Sequence, residues 1–79
     1  MISSPDTREL PDPRPAFGRH LAELRRATGL SQEALAHESG LARSYVSGVE
    51  RGKRNISLVN ICRLAAVLQV KPAGLLERL

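Results

Sequence analysis

The sequence predicts an all-α domain, and three observations lead to that fold class. Apolar residues recur at helical spacing in five short segments, and residues that begin or end helices bound each segment. No segment alternates at period two for long enough to form a strand. The length of 79 residues fits one small domain. Because Phe17 and Tyr45 are its only aromatic residues, the core has to be aliphatic.

The charge of the chain suggests a polyanionic partner. The formal net charge is +4, and residues 1–15 carry three carboxylates against two arginines, so the basic excess lies in residues 16–79. Such a surface suits nucleic acid, although solubility alone also favours a charged surface. Cys62 is the sole cysteine, which excludes an intramolecular disulfide and a cysteine-based zinc site.

Residues 1–15 are expected to form a flexible N-terminal arm. They hold four of the five prolines, and the alternating prolines at 11, 13 and 15 disfavour a helix. The arm lacks the apolar run of a signal peptide, and no later stretch is long enough to span a bilayer. We therefore expect a cytoplasmic protein with no membrane partner. Whether the arm contributes to function stays open.

Five helices are expected over residues 16–79. The first covers about 16–28, with Phe17, Leu21, Leu24 and Thr28 on one face, and Gly29 ends it. The second covers 32–38 after the N-cap Ser31, and the third covers 43–50. The fourth starts after Ser57 and runs to about Leu68, and the fifth opens at Pro72. The apolar face of the fourth helix is predicted to consist of Leu58, Ile61, Cys62, Ala65 and Leu68.

The stretch "QEALAHESGLARSYVSGVER", residues 32–51, meets the demands of two helices that cross steeply through a short turn. Ala36 is small where the two backbones approach each other. Gly40 tolerates a positive φ in the turn. The apolar residues that would fill the space between the helices and the core are Leu35, Leu41, Val46 and Val49.

This pattern resembles the phage-repressor-like (Xre/Cro-type) helix-turn-helix family of bacterial and phage transcription regulators. The resemblance covers about residues 17–76 and includes "LSQEALA" and "VERGKRN". The stretches "RSYVSGVERGKRNISL" and "LAAVLQVKPAGLL" also resemble the controller proteins of restriction–modification operons, although the wider family shares much of this wording. The resemblance implies a compact five-helix, lambda-repressor-like DNA-binding domain in a nucleoid-associated bacterial or phage protein.

In this family the third helix enters the DNA major groove, which assigns a role to each polar residue near it. The resemblance implies base contacts from Arg43, Ser44 and Ser47, with Gly48 permitting close approach to the duplex. The residues expected to contact phosphates are Gln32, Tyr45, Arg51, Lys53, Arg54 and Asn55. For Tyr45, half-buried packing is an equal alternative.

Six further residues receive structural interpretations. The resemblance implies that Glu50 turns inward and pairs with Arg25. Ala42 stands where a capping residue is usual, and the loss of a cap costs about 1 kcal/mol. His20 and His37 are expected at the surface, with no metal site and no cofactor, and Cys62 is expected to be a buried, inert thiol.

The sequence therefore predicts a homodimeric, sequence-specific regulator of double-stranded DNA that acts on a roughly palindromic operator without a small-molecule effector. The C-terminal helices, residues 57–79, are expected to form the dimer interface, through Val67, Val70, Leu75, Leu76 and Leu79. An antitoxin or antagonist that binds protein through these helices is the alternative. No nucleophile–base pairing or glycine-rich phosphate loop suggests an enzyme.

Overall fold

The computed structural model describes residues 6–79, and this part of the chain contains five α-helices and no strand. A 3₁₀ turn at Thr7–Glu9 precedes them. The helices are α1 (Arg14–Ala27), α2 (Gln32–Ser39), α3 (Arg43–Glu50), α4 (Leu58–Leu68) and α5 (Pro72–Leu75). The predicted all-α, five-helix fold is confirmed.

Side-chain caps and one glycine determine where α2 and α4 begin and end. The Ser31 hydroxyl accepts a hydrogen bond from the backbone N–H of Ala34 at 3.0 Å, and Ser57 does the same for Asn60 at 3.1 Å. Gly40 ends α2 with φ 74°, a left-handed conformation that glycine adopts without steric cost. Ala42 begins α3 without a side-chain hydrogen bond. The sequence predicted all four features.

The first helix begins inside the predicted arm, at Arg14 rather than residue 16. Pro15 is compatible with this start because the first turn of a helix does not use its N–H groups. Asp12 accepts hydrogen bonds from the backbone N–H of Arg14 at 3.0 Å and from its guanidinium at 2.8 Å. The guanidinium thereby lowers the pKa of Asp12. Residues 1–5 of the predicted arm lie outside the described residues.

The core is aliphatic except for Phe17 and draws on all five helices. Leu21, Leu35, Leu64 and Leu75 are completely buried. The burial of Leu75 corrects its assignment to a dimer interface, because a side chain with no exposed surface in the single chain has none to offer a partner. On the predicted face of α1, Phe17 and Leu21 are buried, Leu24 is half-buried and Thr28 is exposed.

The buried face of α4 is rotated from the predicted one. Ile61, Leu64, Ala65 and Leu68 face the core at spacings of three and four residues, whereas Leu58 is 72% exposed. Cys62 is exposed, so the prediction of a buried thiol was wrong. Both faces are apolar at helical spacing, and periodicity alone does not distinguish them.

His20 connects α1 to α5 and is buried, contrary to the expectation of a surface residue. Its Nε2 lies 2.7 Å from the carbonyl oxygen of Gly74. Because a carbonyl only accepts, Nε2 must carry the hydrogen and donate it. His37 is exposed, as predicted.

A close crossing holds α3 against α1. Gly18 is buried on α1, and a Cβ built there would lie 2.5 Å from the carbonyl oxygen of Glu50 and even nearer to that of Val49. The helix backbones can approach this closely only because Gly18 has no side chain. The crossing therefore sets how far α3 stands from the core.

A buried ion pair sets the orientation of the same two helices. Glu50 at the end of α3 accepts two hydrogen bonds from Arg25, at 2.7 Å from Nε and at 2.9 Å from Nη2. Only 11% of the Arg25 side chain and 5% of the Glu50 side chain are exposed. Arg25 also donates to the carbonyl of Leu30 at 3.0 Å, and Gln32 donates to Glu50 at 2.8 Å. The pair thus joins α1, the start of α2 and α3, and the predicted partner of Glu50 is confirmed.

We predict that Gly18→Ala destabilises the fold by about 1–3 kcal/mol, the usual cost of forcing an extra carbon into a packed core. Urea denaturation would measure the change in the free energy of unfolding. Gly74→Ala is the matched control, because a Cβ there would meet only Val70 Cβ at 3.7 Å, an ordinary contact. Equal effects from the two substitutions would contradict the role given to the crossing.

We predict that Glu50→Ala costs about 3–5 kcal/mol, because it leaves the buried Arg25 guanidinium without its counter-charge. The double variant Arg25→Met/Glu50→Leu should lose much less stability, since it removes both charges and keeps most of the volume. Chemical denaturation of the single and double variants provides the comparison. A double variant as unstable as Glu50→Ala would show that packing, rather than the unpaired charge, accounts for the loss.

Candidate nucleic-acid interface

The outward face of α3 carries the three residues predicted to contact bases. Arg43 and Ser44 are exposed, and Ser47 is half-buried one turn further along. On the opposite side, Val46 and Val49 are buried with 0% and 1% exposure and attach the helix to the core. Packing against α1 and α2 therefore presents these polar side chains outward as a group.

The loop after α3, residues 51–57, brings the predicted phosphate contacts next to this face. Gly52 has φ 75°, a left-handed conformation that turns the chain after α3. The turn brings Gly52 against Pro15 in the first turn of α1. The backbone N–H of Lys53 donates to the carbonyl of Gly48 at 2.9 Å and keeps the loop close to α3. The exposed polar side chains of this loop include Arg51, Lys53, Arg54 and Asn55.

The Arg54 side chain lies across α3 rather than extending freely into solvent. A Cβ on Gly48 would lie 2.8 Å from Arg54 Cγ, so the glycine makes room for the arginine stem. The guanidinium carbon lies 5.7 Å from the centroid of the Tyr45 ring, within the range of a cation–π contact. Gly48 is itself buried, which corrects its prediction as a point of close approach to DNA.

Tyr45 is half-buried, and its ring packs against the core. Its hydroxyl oxygen accepts a hydrogen bond from Nδ2 of Asn60 on α4 at 3.1 Å. The hydroxyl hydrogen is still available to donate to a phosphate oxygen. The two interpretations of Tyr45 are therefore compatible. Asn60 was missed by sequence reasoning, and no local pattern connects it with a residue fifteen positions earlier.

Gln32 takes part in the structural network as well as facing outward. Its Nε2 donates to Glu50 at 2.8 Å, so the side chain is fixed before any ligand arrives. An amide nitrogen carries two hydrogens, which leaves one of them for a phosphate oxygen.

The electrostatics of the face follow from the buried pair. Glu50 lies in the recognition segment, but Arg25 compensates its charge inside the protein, and the pairing raises the pKa of Arg25. The carboxylate is therefore not presented to an incoming polyanion as an uncompensated charge. Arg43, Arg51, Lys53 and Arg54 remain as exposed cations.

Across residues 6–79, no group of three or more His, Cys, Asp or Glu side chains is placed to hold a metal ion. In the same residues, no helix has the length and apolar character needed to cross a membrane.

Comparison with known proteins adds independent information. A family model described as helix-turn-helix matches residues 21–75. The chain is similar to the solved restriction-modification controller protein C.AhdI from Aeromonas hydrophila, with 62% sequence identity, a TM-score of 0.76 and coverage of 77% of this chain and 92% of that chain. It is 44% identical over 62 residues to the control protein C.BamHI of Bacillus amyloliquefaciens, which covers 77% of this chain and 76% of the relative.

A third similarity is to SinR, the master regulator for biofilm formation, solved in complex with DNA. The sequence identity is 34%, the TM-score is 0.74, and the match covers 77% of this chain and 98% of that chain. The resemblances to phage-repressor-like regulators and to controller proteins, both expected from the sequence, are confirmed. Because the family match spans more than half of the sequence and includes α2 and α3 whole, the chain belongs to the helix-turn-helix family of DNA-binding transcription regulators.

Proposed function

We propose that this protein is a homodimeric, sequence-specific regulator that reads a roughly palindromic operator and controls a restriction–modification operon. The observation that carries this proposal is the outward face of α3, with Arg43 and Ser44 exposed beside a basic loop. The similarity to two proteins described as restriction–modification or control proteins supports the choice of operon.

Base recognition is assigned to Arg43, Ser44 and Ser47. Arg43 lies in the first turn of α3, which is the part of a recognition helix that meets base edges. Its guanidinium has the paired donors to bind guanine through O6 and N7, a contact worth about 1–3 kcal/mol of discrimination. The two serine hydroxyls each donate or accept, and therefore suit either a base edge or a phosphate.

Backbone contact is assigned to Gln32, Tyr45 and the loop cations. Contacts to phosphates fix the register of a protein on the duplex without reading sequence. Arg54 is already held against Tyr45 and over Gly48, so less side-chain freedom is lost when it binds a phosphate. Arg51, Lys53 and Asn55 complete this set in the loop.

The dimer interface is proposed to lie on α4, α5 and the residues that follow. Leu76 and Leu79 are 40% and 59% exposed, and Val67 and Val70 are half-buried beside the core. Leu58 and Val59, at 72% and 61% exposure, extend the apolar surface along α4. Association of two chains through such a surface would place two recognition helices about 34 Å apart on one side of the DNA.

Selection of binding sites from a random duplex pool would test sequence reading. The intact protein should enrich a near-palindrome that contains guanines, and Arg43→Ala should relax the preference at those guanines because it removes the bidentate contact. Arg8→Ala, in the exposed 3₁₀ turn before α1 and outside both proposed surfaces, is the control and should enrich the parental sequence. If no sequence is enriched by the intact protein, the regulator proposal fails, and a protein-binding role leads.

Oligomeric state would test the interface. The intact chain should sediment as a dimer, and Leu76→Glu/Leu79→Glu should shift it to a monomer, because burying two carboxylates in an apolar contact is costly. The matched variant Leu10→Glu changes an exposed leucine outside the proposed surface and should leave the dimer intact. A monomeric parent, or a double variant that remains dimeric, would overturn this interface.

A further inference from the structure

A groove between α1 and the helix-turn-helix is lined by basic side chains, and two of them lie on neither α3 nor the basic loop after it. Its volume is about 320 Å³, and the α1 residues along it are Arg19, Ala22, Glu23 and Arg26. Only 6% of Ala22 is exposed. The wall that α1 gives the groove is therefore shallow between the two arginines. Gln32, Glu50 and Arg51 form the opposite side.

The groove is positively charged. Arg19, Arg26 and Arg51 supply three positive charges, and Glu23 supplies one negative charge. Glu50 also lines the groove, but Arg25 pairs with it and compensates its charge. The balance of these groups is +2, which favours an anionic occupant.

No contact within the protein accounts for the two α1 arginines. Arg19 and Arg26 are exposed, and their guanidinium groups make no hydrogen bond or ion pair among residues 6–79. Arg26 lies in the last turn of α1, where a cation interacts favourably with the helix dipole. That explanation does not extend to Arg19, two turns earlier on the same face.

We propose that this groove binds a phosphate of the DNA backbone, with Arg19 and Arg26 as its ligands on α1. The proposal rests on the DNA-binding function proposed above and extends the contact surface to a helix outside the helix-turn-helix. Gln32 and Arg51 connect the groove to the face assigned to DNA, because both line it and both are candidates for phosphate contact. A backbone passing Gln32 would therefore meet the α1 arginines next.

The arginines and the carboxylate of the groove are expected to have opposite effects on DNA affinity. Arg19 and Arg26 add affinity without sequence information, because a phosphate is the same at every position of the duplex. Glu23, between them on α1, opposes the same phosphate. Removal of the arginines and removal of the carboxylate should therefore act in opposite directions.

Salt-dependent binding provides the test. The affinity of the intact chain for a defined 30-base-pair duplex would be measured by fluorescence anisotropy between about 50 and 200 mM salt. The logarithm of the binding constant falls linearly with the logarithm of the salt concentration, and each lost phosphate contact reduces the magnitude of this slope by about 0.9. Arg19→Gln/Arg26→Gln should remove one phosphate contact per protomer, reduce the magnitude of the slope by about 0.9 for each protomer bound, and weaken binding equally for selected and scrambled duplexes. Glu23→Gln should tighten binding severalfold.

The matched control is Arg8→Gln/Arg14→Gln, which removes the same charge outside the groove and outside the proposed dimer surface. It should keep the parental slope, and circular dichroism would verify that every variant is folded. A parental slope in Arg19→Gln/Arg26→Gln, or an equal loss in the control pair, would overturn the groove while leaving sequence-specific binding in place. Absence of duplex binding by the intact chain would overturn both proposals together.

A separate arm distinguishes the backbone from a free anion. Thermal unfolding would be compared in inorganic phosphate and in chloride at equal ionic strength. Phosphate should stabilise the intact chain and Arg19→Gln/Arg26→Gln equally, because the groove is assigned to a phosphate presented by the duplex. Stabilisation that depends on the two arginines would instead identify a site for free phosphate and overturn the DNA assignment.

Discussion

The buried pair between Arg25 and Glu50 is the interaction on which the presentation of α3 depends. Its four hydrogen bonds, counting those to Leu30 and from Gln32, join three helices at one point. An ion pair with so little exposure is not by itself a strong source of stability, because desolvation offsets much of the attraction. Its value here is geometric and electrostatic: it fixes the end of α3 and compensates the charge of a carboxylate beside the face assigned to DNA.

Two glycines shape this surface because they have no side chain. Gly18 lets α1 and α3 cross closely, and Gly48 leaves room for the Arg54 stem. Tyr45 then supports the Arg54 guanidinium, and Asn60 holds the Tyr45 hydroxyl from α4. A cation that is placed before binding loses less freedom on contact with phosphate than one on an unsupported loop.

The same small domain separates its surfaces by chemistry. Exposed cations and hydroxyls surround α3, whereas exposed leucines lie on α4 and beyond α5. The first set suits a polyanion and the second suits a second copy of the chain, which is how one domain of 79 residues can carry both proposed contacts. Cys62 lies on the exposed side of α4, so its thiol is accessible in the single chain.

Local chemistry determined most helix ends, and apart from the start of α1 the sequence by itself was enough to predict the helices. Ser31, Ser57 and Gly40 act on their own backbone or its immediate neighbours, so their effects are readable without a fold. The α3 bounds and the outward position of Arg43 follow from the same local periodicity. The partner of Glu50 was obtained from the family resemblance.

Only the tertiary structure decided which of the two apolar faces of α4 is buried and which neighbouring side chain each glycine makes room for. Leu58 and Leu64 have the same hydropathy, and packing against the other helices alone makes the second a core residue. Likewise Leu75 is in the core, His20 is bonded to Gly74, and Gly48 makes room for Arg54. These outcomes depend on residues distant in the chain, and their physical reason is the close packing of side chains brought together by folding, which no local pattern records.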